Sequence, residues 1–117
     1  MRKKALKILE WCIINYGASL YYSFLPKLVI KNLEKSDYCG VFDETKGLIE
    51  IHTCNIKNDK DLIITIIHEY VHYTQCPGTY DIVEFFHSGI YEKNPLEIWA
   101  EKIAQRDWKK CKAELKL

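Results

Sequence analysis

The segment that follows Asn58 is apolar on nearly every side of a helix, and this constrains the fold more than any other feature. Asn58 is a preferred helix N-cap, and Cys76-Pro77-Gly78 ends the segment. We therefore predict a helix from Asn58 to about Gln75. A helix that is apolar all round is buried in the middle of its domain. Its apolar positions are Leu62, Ile63, Ile64, Ile66, Ile67 and Val71.

Periodicity and turn residues predict the other elements. The first helix runs from Lys3 to about Tyr16 and ends at Gly17. The residues predicted to share its apolar face are Ala5, Leu6, Leu9, Cys12, Ile13 and Tyr16. The remaining predicted elements are a strand at Leu28–Ile30 after Pro26, a hairpin of Tyr38–Phe42 and Leu48–His52, a short helix at Asp81–His87, and a last helix that begins at Asn94-Pro95. This order predicts an α+β fold with a small antiparallel or mixed sheet and a single domain over residues 1–117.

Composition excludes several classes of partner. The 117 residues carry a net charge of +1, so no overall field attracts nucleic acid. The longest uncharged stretch, Trp11 to Pro26, is shorter than the ~20 residues of a membrane span. The five cysteines are odd in number and form no CxxC pair. We therefore expect no membrane partner and a cytoplasmic location, which is the host cytoplasm if the chain is viral, with reduced thiols mostly packed in the core. The oligomeric state is not fixed by the sequence.

The buried helix contains His68-Glu69-Tyr70-Val71-His72, an HExxH motif. Residues at i and i+4 lie one turn apart on one helix face, so His68 and His72 can reach one metal ion. Glu69 stands beside them, placed to touch a water molecule at the metal rather than to be a ligand. Histidine and glutamate are costly to bury without partners, and a metal ion offsets that cost. The alternative is a pair of hydrogen-bonded core histidines with an ion-paired glutamate.

Two histidines and a water leave one protein ligand to be found. A metzincin would have Gly at 75 and His at 78, but the chain has Gln75 and Gly78. Glu97, at the start of the last helix, is the candidate, although with Asn94 it also fits a capping box. Glu101, one turn later, can accept a hydrogen bond from a ligand histidine. His87 is an alternative third ligand, and Cys76 continues the row of His68 and His72, although a buried thiol at a helix end is the simpler interpretation.

With these residues the chain resembles a minimal gluzincin, a zinc metallopeptidase with HExxH followed by an ExxA[D/E] helix; here that helix reads Glu97-Ile98-Trp99-Ala100-Glu101. The resemblance covers about Ile49 to Trp108. The chain is also similar to small zincin-like proteins of phages and mobile elements. The resemblance implies one zinc ion per chain held by His68, His72 and Glu97, with Glu69 as the general base and Glu101 supporting a ligand.

The resemblance also implies a reaction, the hydrolysis of peptide bonds by a zinc-bound water that Glu69 activates. A protein or peptide substrate would then lie along Leu48–His52, as on the edge strand of the family. Thermolysin-type gluzincins have a second domain that supplies oxyanion groups, for which this chain has no room. Any such group would come from the connection between Cys76 and Asn94, with Tyr80, His87 and Tyr91 as candidates and Tyr91 preferred.

Two other functions remain open at this point. One is a zinc-binding, zincin-like protein-interaction module with little or no turnover, which the small size of the chain favours. The other is a helical scaffold without metal.

Overall fold

The computed structural model describes residues 1–78 and 94–117. In these residues three helices and a small three-stranded sheet form a compact α+β fold. The elements are α1 (Arg2–Tyr16), β1 (Lys27–Lys31), β2 (Gly40–Asp43), β3 (Leu48–His52), a 3-10 turn (Thr53–Asn55), α2 (Asp59–Thr74) and α3 (Pro95–Leu115). The predicted short helix at Asp81–His87 lies outside the described residues.

The α2 helix is the central element, as predicted. The Asn58 side chain accepts a hydrogen bond from the Asp61 N–H at 2.9 Å and so caps the first turn. The apolar side chains of α2 contact α1, the sheet and α3, so no broad face of the helix is left to solvent. The fully buried ones are Ile63, Ile66, Ile67, Tyr70 and Tyr73. Residues on this helix are therefore positioned by packing on several sides.

The sheet is mixed, and its strand order is β1-β3-β2. β3 pairs in parallel with β1 and antiparallel with β2, so the predicted hairpin of β2 and β3 is confirmed. The expectation that Leu48–His52 is an edge strand is wrong. β1, with its apolar residues, lies beside β3 on the side opposite β2. Leu28 of β1 is opposite the fully buried Ile49 of β3. Among the strands in residues 1–78 and 94–117, β2 is therefore the one nearest to α2 that has a strand partner on one side only.

A glycine allows β2 to approach α2 closely. A Cβ atom at Gly40 would lie 2.6 Å from Cγ2 of Thr65 and 2.9 Å from the backbone oxygen of Glu50. Both distances are shorter than a side chain tolerates, and the second neighbour is backbone. Gly40 thus sets the spacing between the edge strand and the helix that carries the histidines.

The α1 helix ends at Gly17, with φ at 78°, as predicted, but its buried face is rotated from the expected one. Ile8 and Trp11 are buried, whereas Leu6 is 40% exposed. The cause is α3. The Trp11 indole N–H donates to Glu114 and the Tyr16 hydroxyl donates to Asp107, so this face of α1 turns towards the last helix.

The α3 helix begins as the sequence predicts. Pro95 occupies the first turn, and the Asn94 side chain accepts a hydrogen bond from the Leu96 N–H at 2.9 Å. Ala100 and Ala104 are fully buried, and their small side chains let α3 lie close to α2. The first turn of α3 is thereby fixed beside the HExxH segment.

The cysteines differ from expectation. All five are free thiols, but only Cys12 and Cys111 are buried. Cys76 lies beyond the end of α2 and is exposed, so the expectation of a buried thiol there is wrong. Among the described helices, none has the length and apolar character needed to cross a membrane.

Candidate metal centre

His68 and His72 project from α2 towards one carboxylate. The Nε2 atom of His68 lies 2.8 Å from Oε2 of Glu97, and Nε2 of His72 lies 2.7 Å from Oε1 of the same side chain. The ligating atoms of the three residues all lie within 4.8 Å of one another. Helical spacing on α2 and the capped first turn of α3 thus bring together the three residues predicted from the sequence as metal ligands.

The second nitrogen of each imidazole also has a partner. Nδ1 of His68 lies 3.0 Å from Oε2 of Glu101, one turn beyond Glu97 on α3. Nδ1 of His72 lies 2.6 Å from Oε1 of Gln75, whose amide nitrogen in turn donates to the Leu96 carbonyl at 3.1 Å. Because both Nδ1 atoms are engaged, both Nε2 atoms are directed into the site. Partners of this kind fix the ring orientation and tautomer of metal-bound histidines.

The electrostatics of the cluster favour protonated histidines when no metal is bound. Burial opposes the charge on His68, but hydrogen bonds with Glu101 and Glu97 outweigh it and raise its pKa to about 10. The pKa of His72 is raised for a similar reason: burial is the largest single effect and lowers it, but the hydrogen bond with Glu97 and the nearby charges of Glu69 and Glu97 together outweigh burial. A metal ion that binds here therefore displaces protons from the imidazoles.

Glu69 lies on the same helix and faces the same cavity. Its side chain accepts a hydrogen bond from the Phe42 backbone N–H at 3.0 Å, so β2 holds it in place. Burial raises its pKa to about 7, although the two histidines act in the opposite direction. A carboxylate that ionises near neutral pH has the property required of a general base.

The described residues fit a metal ion. Two imidazole nitrogens and one carboxylate oxygen, His68, His72 and Glu97, form a group that could hold a divalent cation. Their present separations of 2.7–2.8 Å are those of ion pairs. A tetrahedral zinc site keeps its donors roughly 3.3 Å apart, so small side-chain movements suffice to accommodate the ion.

The other candidates from the sequence are three residues between Cys76 and Asn94, and Cys76 itself. Tyr80, His87 and Tyr91, proposed from the sequence as oxyanion groups or as an alternative ligand, lie outside the described residues. Cys76 lies in the wall of the cavity that contains His72, but it is absent from the group of potential ligands found in the described part of the chain.

Sequence reasoning missed two contributors to the site. Gln75 was considered only as a departure from the metzincin pattern, although it orients His72. Its position three residues after His72, on the same helical face, was the available signal. The backbone N–H of Phe42 was not foreseen, because the contact between β2 and α2 is non-local in sequence.

Comparisons with known proteins add no relative to this description. No family model, no curated protein and no solved structure matches the chain.

Gln75 provides the first test of the geometry. We expect Gln75→Ala to weaken zinc binding by about 10–100-fold, since it removes the acceptor that orients His72. Gln75→Glu keeps that acceptor and should retain most of the affinity. A competition titration of zinc against a chelator gives both values. Equal affinities for Gln75→Ala and the wild type would show that His72 needs no such partner.

Proposed function

We propose that the chain is a zinc-dependent metallopeptidase of the minimal gluzincin type. One observation carries the proposal: a single carboxylate, Glu97, lies between the Nε2 atoms of His68 and His72, and Glu69 faces the same cavity. Metal ligands and a buried carboxylate with a raised pKa, in one cleft, are the combination that hydrolytic metal sites require.

The donor set favours zinc over other divalent ions. Two imidazoles and one carboxylate offer nitrogen and oxygen ligands to a borderline-soft ion, whereas magnesium and calcium prefer oxygen ligands. Three protein ligands leave a coordination position open, as in catalytic zinc sites. Glu101 and Gln75 hold the rings in the orientation that binding requires. We expect one zinc ion per chain.

The reaction follows from the position of Glu69. A zinc ion held by His68, His72 and Glu97 would supply Lewis acidity, which acidifies water and polarises a carbonyl group. Glu69 takes the proton of the attacking water and then passes it to the leaving amine. The Phe42 N–H keeps the carboxylate directed into the cleft throughout.

The proposed substrate strand is β2 rather than β3. The Cys39 carbonyl accepts a hydrogen bond from the His52 N–H, so alternate residues of β2 direct their backbone groups towards β3. Gly40 and Phe42 therefore direct theirs away from the sheet, and the Phe42 N–H reaches Glu69. An extended peptide added beside β2 would pass directly over Glu69.

The experiment uses the full chain purified without chelator or metal-affinity tag. We expect about one zinc per chain, and cleavage of casein or of a mixed peptide library that stops on chelation and returns when zinc is restored. Zinc binding without cleavage would favour the alternative, a protein-interaction module. A chain that contains no zinc and refuses added zinc overturns both.

A further inference from the structure

The cavity at the metal centre continues along β2, the edge strand of the described sheet. It encloses about 400 Å3, a volume typical of ligand sites. Glu69, His72 and Glu97 form one part of its wall, and Phe42, Tyr22 and Glu44 form another. Since Phe42 contacts Glu69 through its N–H, and Glu44 follows two residues later, this second part lies next to the reacting centre.

Tyr22 and Phe42 give this second part an ordered aromatic surface. The Tyr22 ring stacks on the fully buried Tyr73, with ring centroids 5.7 Å apart and an interplanar angle of 19°. It also meets the Phe42 ring edge-on at 5.8 Å. The Tyr22 hydroxyl donates a hydrogen bond to Oε2 of Glu44 at 3.3 Å, which directs that carboxylate towards the ring.

The charges of the cavity are unbalanced. The described residues that line it include three carboxylates, one histidine, His72, and no lysine or arginine. Glu97 is engaged with the two histidines and Glu69 with the Phe42 N–H. Glu44 is exposed, and its carboxylate is the negative charge at the aromatic end of the cavity. Burial and the adjacent Glu44 raise the pKa of Tyr22 to about 12, so the hydroxyl stays protonated near neutral pH and adds no charge of its own.

We propose that this end of the cavity selects a substrate residue with a long cationic side chain, lysine or arginine, next to the scissile bond. The aliphatic stem would lie on Tyr22 and Phe42, and the charged group would bind Glu44. Long basic side chains combine an apolar stem with a charged end in this way, and aromatic faces attract cations. A charge-assisted hydrogen bond to the carboxylate adds direction. The inference rests on the proposed function, because it names the substrate class of the same site.

The test uses blocked octapeptides that differ at one central residue, which is arginine, lysine, citrulline or glutamate. Citrulline is the neutral isostere of arginine, so the comparison isolates charge. For the zinc-loaded wild type we expect kcat/KM for arginine to exceed that for citrulline by about tenfold or more. Glu44→Gln should abolish the difference by lowering kcat/KM for the arginine peptide to about that for the citrulline peptide. Glu44→Lys should favour the glutamate peptide.

Glu10→Gln, an equal charge change at an exposed position on α1, is the matched control and should keep the arginine preference. Binding of the same peptides to the zinc-loaded protein is measured by calorimetry as a second readout. If no peptide is cleaved but arginine binding still depends on Glu44, the pocket assignment holds and only the peptidase proposal fails. Equal binding and cleavage of arginine and citrulline peptides, or a preference that survives Glu44→Gln, overturns the assignment.

Discussion

Replacing Glu97 by alanine is expected to remove zinc from the protein at concentrations at which the wild type is fully loaded. Its carboxylate is the group that both histidines share, at 2.8 and 2.7 Å. The loss of zinc affinity should be larger than the loss of about 10–100-fold that follows removal of a hydrogen-bond partner of a ligand. Glu101→Ala, which removes the partner of His68 Nδ1, should stay within that range. Competition titrations of zinc against a chelator rank the variants.

Two further variants separate ligation from folding. Glu97→Gln keeps the size of the side chain but not its charge, and it should also lose most zinc affinity while circular dichroism stays native. His87→Ala tests the alternative ligand suggested by the sequence and should have little effect. If His87→Ala loses the metal and Glu97→Ala keeps it, the gluzincin assignment fails and Glu97 is only a helix-capping residue.

The parts of the fold that depend on local sequence signals were predictable. Asn58, the apolar run after it and Cys76-Pro77-Gly78 define α2 within one or two residues of its observed bounds. The position of β3 in the sheet was not, because strand order depends on a partner distant in sequence. β1 pairs with β3 although β2 lies between them in the sequence, and nothing within Leu48–His52 indicates that second neighbour.

The candidate site also has one part that local sequence signals predict and another part that they do not. His68 and His72 follow from helical spacing, and the position of Glu97 follows from the Asn94-Pro95 helix start together with the family resemblance. The aromatic and acidic end of the cavity was not predicted. Tyr22 comes from the connection after α1 and Glu44 from the hairpin loop, and only the folded chain brings these two segments together. The zinc, the reaction and the role of Tyr91 stay predictions.

Glu69→Gln should lower peptide hydrolysis by about 10²–10⁴-fold, the usual contribution of a general base. The substitution is close to isosteric, and the glutamine oxygen can still accept the Phe42 N–H hydrogen bond, so β2 and α2 should keep their relative position. Zinc content should also be unchanged, since Glu69 lies outside the group formed by His68, His72 and Glu97. Turnover on a peptide library and metal content are therefore measured on the same sample.

Zinc content and thermal stability, measured beside turnover, assign the role of Glu69, because the alternatives differ in these two properties. A general base loses turnover and keeps zinc. A ligand or a structural carboxylate loses zinc, or thermal stability, together with turnover. Glu50→Gln provides the matched control. Glu50 is a partly buried residue on β3, and its carboxylate forms an ion pair with Lys31 at 2.8 Å. Unchanged hydrolysis by Glu69→Gln would remove this residue from the mechanism, whereas a loss shared by Glu50→Gln would indicate damage to the sheet.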